Sequence, residues 1–259
     1  MTLPPLSLYI HLPWCERKCP YCDFNSHEAN VIPESDYIDA LLNDLKGDVD
    51  LAQDRQVESI FIGGGTPSLF SSESISRLMN AVVDLVNINA QAEVTMEANP
   101  GSAEAQKFEG FFASGINRLS LGVQSFDDHC LTALGRVHNG NQALAAIDYA
   151  RAAGFSRINL DLMHGLPGQS LASAVNDLDT AIDAGVSHIS WYQLTIEPNT
   201  VFYNRVPTLP DESELGDIQS TGEALFSEAG FKQYEVSAWS RENHRSRHNE
   251  NYWRFGDYL

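Results

Sequence analysis

Residues Glu58 to Phe70 read ESIFIGGGTPSLF. The run Glu58 to Ile62 has the β-branched and aromatic content of a short buried strand, three glycines and Pro67 supply a tight turn, and Ile75, Leu78, Met79, Val82, Val83 and Val86 then recur at helical spacing. Strand, turn and helix in that order form the unit from which parallel sheets are built. The unit recurs along the chain, with further strands expected at Ser7 to His11, Glu93 to Glu97, Arg118 to Val123, Arg157 to Leu162 and His188 to Leu194. The first helix carries Tyr37, Ile38, Leu41, Leu42 and Leu45 on one face. Later helices are expected at Ala103 to Ala113, Asn141 to Ala153, Leu171 to Ala184 and Glu212 to Ala229, and Gly115, Gly154, Gly185 and Gly230 each follow one as C-cap glycines do. The expected fold is therefore α/β, six parallel strands with outer helices.

The polar residues fall in a pattern. His11, Gly63 to Thr66, Glu97 with Asn99, Gln124, Asp161 and Gln193 all stand at or just past the C-terminal end of an expected strand. In a parallel β/α barrel this rim gathers ligand-binding groups, because its loops vary without disturbing the core. Taken singly, Glu97 reads as a solvated strand end, the glycines as an ordinary βα turn and Arg136 as a surface cation. Their spread over six strands is what points to a site. The glycine turn lacks the lysine of a phosphate-binding loop, but its amides can approach a ligand closely and the following helix start favours a negative group.

Just beyond the first strand, residues 11–24 read HLPWCERKCPYCDF and contain Cys15, Cys19 and Cys22. A closed zinc site takes four ligands and a disulfide framework an even number of cysteines, so three thiols in C-x3-C-x2-C leave one coordination position open. Three corners of a 4Fe-4S cluster with an exchangeable ligand on the fourth iron fit this count. A zinc site completed by His11 or His27 stays open as the alternative. Cys130 falls in a short helix expected over Asp127 to Leu134, where a free thiol serves as a small apolar group.

Composition bounds the rest. The 259 residues suffice for one barrel-sized domain, with 43% apolar residues. Sixteen basic against 35 acidic residues give a formal charge of −19, which repels a nucleic-acid backbone. There is no apolar run of membrane-spanning length and no basic leader, so a cytoplasmic protein without a transmembrane segment is expected.

Together the stretches YIHLPWCERKCPYC, GGGTP, EANP, RLSLGVQSF, LGRVHNG and INLDLMHGLPGQ resemble, in order and spacing, the radical S-adenosylmethionine proteins related to oxygen-independent coproporphyrinogen oxidase. The resemblance implies a partial (β/α)6 barrel. It implies that Cys15, Cys19 and Cys22 ligate a 4Fe-4S cluster, and that Tyr9, Gly64, Gly65, Thr66, Glu97, Gln124, Arg136 and Asp161 line the site of S-adenosylmethionine. The oxidases carry a further cysteine two residues after the third cluster cysteine, where this chain has Phe24. Residues 248–253 read HNENYW, matching the HNxxYW motif of the heme chaperone family HemW within this group. That resemblance implies a carrier of heme, handing it to an acceptor protein of unidentified kind, with coproporphyrinogen oxidation as the alternative.

His248 offers imidazole to heme iron, with His244 as the alternative ligand, and Tyr252 and Trp253 offer faces for the macrocycle. Arg241, Arg245, Arg247 and Arg254 against Glu242 and Glu250 make this segment locally basic, suited to propionates. The plainer reading has the segment closing the barrel, with His248 a satisfied structural histidine and Trp253 in the core. The expected division is a core barrel over residues 1–238 and the start of a C-terminal extension over 239–259. The accessory domain of the group is expected beyond the last residue, so the chain reads as a fragment.

Overall fold

Leu6, Leu8, Ile10 and Leu12 alternate with Ser7, Tyr9 and His11 along the first strand, β1 (Leu6–Leu12). Period-two geometry sends the two sets to opposite faces. The leucine and isoleucine face is buried with Ile38, Leu42 and Leu45 of α1 (Glu34–Asp48) and with Ile75 and Leu78 of α2 (Ser72–Leu85). The computed structural model describes residues 3–259, the side chains at 102 and 103 aside. In it the same alternation repeats in β2 (Val57–Gly64), β3 (Ile88–Ala98), β4 (Arg118–Gln124), β5 (Arg157–His164) and β6 (His188–Gln193).

These six strands pair in sequence order and all in parallel. The intervening helices are α3 (Phe108–Ala113), the short α4 (Asp128–Ala133), α5 (Gly140–Ala152) and α6 (Leu171–Asp183), followed beyond β6 by α7 (Glu212–Glu228). Gly115, Gly154, Gly185 and Gly230 have φ of 93°, 106°, 69° and 80°, the left-handed conformation expected of them. The helix read over residues 103–113 is instead two, Ser102–Ala105 and α3. At the break, Lys107 turns its ammonium onto the carbonyls of Ser68, Leu69 and Phe70 at 3.0, 2.8 and 3.2 Å, which a continuous helix would not supply.

The C-terminal residues are woven into the barrel. Strand β7 (Ala238–Ser240) runs antiparallel to β6, α8 (Arg247–Trp253) packs on β1 and β2, and β8 (Asp257–Tyr258) adds in parallel to the outer edge of β1. The division expected at residue 238 thus falls inside β7. The inner face of the barrel is polar: Ser7, Ser59, Glu93, Thr95, Arg118, Ser120, Asn159 and His188 are all buried. Glu93 pairs with Arg157 at 2.9 Å and accepts hydrogen bonds from Ser246 Oγ and the backbone amides of Arg247 and His248 at 3.2, 2.9 and 3.3 Å. A strand carboxylate therefore caps α8, where a helix start favours negative charge.

Candidate functional site

The cysteine loop leaves the C-terminal end of β1 and returns on itself. His27 N donates to Pro13 O at 2.7 Å, Ala29 N to Cys15 O at 3.2 Å, and the Lys18 ammonium holds the carbonyls of Phe24 and Ser26 at 2.9 and 3.0 Å. The loop is thereby fixed over the barrel mouth. Glycines bring it close to β2: a methyl on Gly65 would lie 2.5 Å from Trp14 O, and Gly64, at φ 119°, packs under the His11 ring.

Between this loop and the strand ends lies a cavity of about 610 Å³, within the usual range for small-molecule sites. Of the residues singled out in the sequence, Cys15, Cys19, Cys22, Gly64, Gly65, Thr66, Glu97, Gln124, Arg136 and Asp161 all line it. Tyr9 and His248 do not. They face each other lower in the barrel, ring centroids 6.3 Å apart, with the Tyr9 hydroxyl 3.0 Å from His11 Nδ1. His248 also packs on Phe61 at 4.7 Å and Tyr258 at 5.0 Å.

Two carboxylates face the cavity. Glu97 accepts from Gly64 N at 3.1 Å, and burial, reinforced by the charge of Asp161, pushes its carboxyl up to about 8. Asp161 is also shifted upward by burial, against the opposing effect of hydrogen bonds from Ser120 at 2.9 Å and Asn159 at 2.8 Å. Two carboxyl groups facing one cleft, both destabilised as anions by burial, are suited to a ligand whose positive charge or hydroxyl donors would stabilise the ionised form.

Arg136 joins this pair to the cysteines. Its guanidinium reaches Asn99 Oδ1 and Gly122 O at 2.7 Å each and Cys19 Sγ at 3.5 Å, while its Nε is buried without a partner. Asn99 in turn donates to Thr66 Oγ1 at 3.3 Å.

The zinc alternative finds no preformed site in this loop. Zinc–sulfur bonds of about 2.3 Å hold any two thiolates of one site within about 4.6 Å. Among the described residues, the one trio of His, Cys, Asp or Glu ligand atoms within 4.8 Å of one another is Asp127, His129 and Cys130, so the three loop thiols are not preformed as a single-ion site. Both nitrogens of His11 are also engaged, with Tyr9 and with Asn25 O at 2.9 Å. The Asp127 trio is a helix cap: Asp127 Oδ1 accepts from the amides of His129 and Cys130 at 2.7 and 3.1 Å.

Sequence reading missed Tyr192, whose hydroxyl donates to Gln124 Oε1 at 2.8 Å and whose ring lines the cavity. Its place one residue before the end of β6 was the available signal. Gln124 itself adopts φ 71°, unusual for a residue with a side chain, at a register shift between Leu121 and Gln124.

Residues 9–181 match the Radical SAM superfamily. Over 99% of its length the chain is 54% identical to the heme chaperone HemW of Haemophilus influenzae, covering 68% of that protein. The HemW of Escherichia coli is 53% identical over 100% of this chain and 69% of its own. Among solved structures, the coproporphyrinogen III oxidase of Escherichia coli, a radical SAM enzyme, superposes on 93% of this chain with a TM-score of 0.85 at 28% identity, and this chain spans 56% of it. On this sequence similarity and this fold, the chain belongs to the HemW family of the Radical SAM superfamily.

Proposed function

We propose that this protein is a heme chaperone that binds heme and passes it to an acceptor protein. Cys15, Cys19 and Cys22 hold a 4Fe-4S cluster, and the cavity of Gly64, Gly65, Thr66, Glu97, Gln124, Arg136 and Asp161 holds S-adenosylmethionine. The supporting observation is the pairing of high identity to heme chaperones with Phe24, exposed at the mouth of the cavity, where the oxidases carry a cysteine. When bound, the cluster supplies a low-potential electron at the cofactor's sulfonium. The chain's own residues bind and orient: Arg136 sets positive charge beside the Cys19 sulfur, Glu97 and Asp161 receive ammonium and hydroxyl groups, and the Gly64–Gly65 backbone admits the ligand closely.

Heme is placed at the HNENYW helix. Tyr252, Trp253 and Phe255 are 70%, 52% and 89% exposed there, with Arg245 and Arg254 at Glu250 of the same helix, an apolar surface with cations for propionates; Arg241 turns instead to Ala229 O and the Phe231 ring. His248 is the candidate axial ligand; burial pushes its imidazole down to about 4, which keeps it neutral and able to bind iron. Its ring must turn from Phe61 and Tyr258 to reach a bound macrocycle. The working compartment is the cytoplasm; among the described residues no helix is long and apolar enough to cross a membrane.

The test is titration of anaerobically reconstituted protein with heme, with and without S-adenosylmethionine, followed at the Soret band. A saturable Soret shift that His248→Ala alters, without turnover of coproporphyrinogen, is expected. Turnover would reject the chaperone reading for the oxidase, and a spectrum indifferent to His248→Ala would reject that residue as ligand.

A further inference from the structure

Beneath the cavity, buried and half-buried hydrogen bonds run without a break from Asp161 to the start of α8. Asn159 Nδ2 donates to Asp161 Oδ1 at 2.8 Å and to Ser120 Oγ at 2.7 Å. Its other amide atom, Oδ1, lies 2.6 Å from His188 Nδ1 and accepts from Ser190 Oγ at 3.2 Å. His188 Nε2 lies 2.7 Å from the Tyr234 hydroxyl, which accepts from Ser246 N at 3.2 Å and from Asn249 Nδ2 at 3.4 Å. Ser246 is the N-cap of α8, its hydroxyl accepting from Asn249 N.

The partners dictate a direction. An ionised Asp161 can only accept, so Asn159 must present its amide nitrogen there and its oxygen to His188. His188 then carries its proton on Nδ1, and Nε2 accepts from Tyr234. Burial, together with the nearby Arg118 and Arg157, holds the His188 ring neutral, as this arrangement requires. One other arrangement satisfies these atoms: the Asn159 amide turned over, the His188 proton on Nε2 donating to the Tyr234 oxygen, and the Asn249 amide turned over as well, so that its oxygen accepts the Tyr234 hydroxyl proton. It would aim the Asn159 oxygen at the Asp161 carboxylate. The ionised acid at the top selects between two discrete states of the chain below it.

We propose that Asn159, His188 and Tyr234 are positioning residues forming a relay that couples the acceptor state of Asp161 in the cavity to the capping of the HNENYW helix. A ligand that engages Asp161 thereby changes the hold of Tyr234 on Ser246, and by reciprocity a ligand on α8 changes affinity at the cavity. The relay stands on the hydrogen-bond geometry; its use by S-adenosylmethionine and heme rests on the function proposed above.

The experiment is ligand-free first. In histidine-¹⁵N-labelled protein, with the His188 signals identified by their loss in His188→Asn, the parent should show a protonated Nδ1 and an unprotonated Nε2. Asp161→Ala should shift His188 toward the other tautomer and change amide exchange at Ser246 by fivefold or more, the lower end of typical coupling. In a Tyr234→Phe background the effect of Asp161→Ala on Ser246 exchange should drop below twofold. Exchange at Leu121 and Leu160, in the centres of β4 and β5, serves as the check that these variants remain folded. An unmoved tautomer in folded Asp161→Ala, or an equal exchange effect with and without Tyr234, overturns the relay. S-adenosylmethionine is then added to the reconstituted parent: a change at Ser246 that is absent in Tyr234→Phe, which still binds the cofactor, supports its use of the relay. If the cycle shows coupling and the cofactor produces none, the relay stands and the placement of the cofactor at Asp161 falls.

Discussion

A single methyl group at residue 65 would meet the backbone carbonyl of Trp14, one residue before the first loop cysteine, and a backbone neighbour cannot swing aside. Gly65→Ala should therefore move the loop and lower the iron content of reconstituted protein several-fold. Gly47→Ala, in α1 with open space around it, should keep the iron and add about 0.5–1 kcal/mol of stability; iron analysis and urea midpoints decide both. Glu97 makes the second residue-scale prediction. Its carboxyl keeps its proton to about 8 when folded, whereas the unfolded chain loses it near 4.5. Stability from this group is thus full below about pH 4.5, falls as pH rises toward about 8, and is level above. Glu97→Gln should remove that slope and leave the ligand-free protein more stable than the parent at pH 9 by about 2 kcal/mol, after allowance for cavity water. Equal urea midpoints at pH 9 would refute it. At this scale the sequence was informative: Gly64, Gly65, Glu97 and Asp161, which line the cavity, were readable from the spread of strand-end positions over six strands and not from any one of them. The backbone of Gln124 was not, since its positive φ depends on a register shift against a neighbouring strand.

Helix α8 has seven residues, too few to persist alone, and its first turn is held by a carboxylate 153 residues earlier in the chain. Glu93→Ala should cost about 3 kcal/mol, the scale for removing one partner of a buried pair, and should speed amide exchange throughout α8. Glu93→Gln retains an acceptor for the Arg247 and His248 amides and should lose less. Urea unfolding followed by tryptophan fluorescence measures the first quantity; an Ala variant as stable as the parent would show that α8 is held by its aromatic contacts instead. Helices and strands of six residues or more were legible from periodicity, within a residue or two at most ends. The three-residue β7 and two-residue β8 were not, because segments that short carry no period and owe their structure to the edge they join. The plainer expectation for the HNENYW segment agrees with its packing on β1 and β2, but Trp253, expected in the core, is 52% exposed and His248 Nδ1 is buried without a hydrogen-bond partner.

For the whole molecule, the order of the six parallel strands followed from the repeated strand-turn-helix unit, while the character of the shaft they enclose did not. Strand periodicity told which residues share a face, and only the assembled register shows that Ser7, Ser59, Thr95, Arg118, Asn159 and His188 are all withdrawn from water together. A shaft of this kind has a calorimetric consequence. Exposure of apolar surface raises the heat capacity of unfolding and exposure of polar surface lowers it. A domain of this length with an ordinary oily interior would gain about 3–4 kcal/mol/K on unfolding, at 12–15 cal/mol/K per residue. The polar shaft subtracts from that figure, so scanning calorimetry of a reversibly unfolding form should give a value below it. The resulting stability curve is shallow, and the protein loses little stability per degree on either side of its optimum, holding its carboxylates and thiols in register over a broad range of temperature.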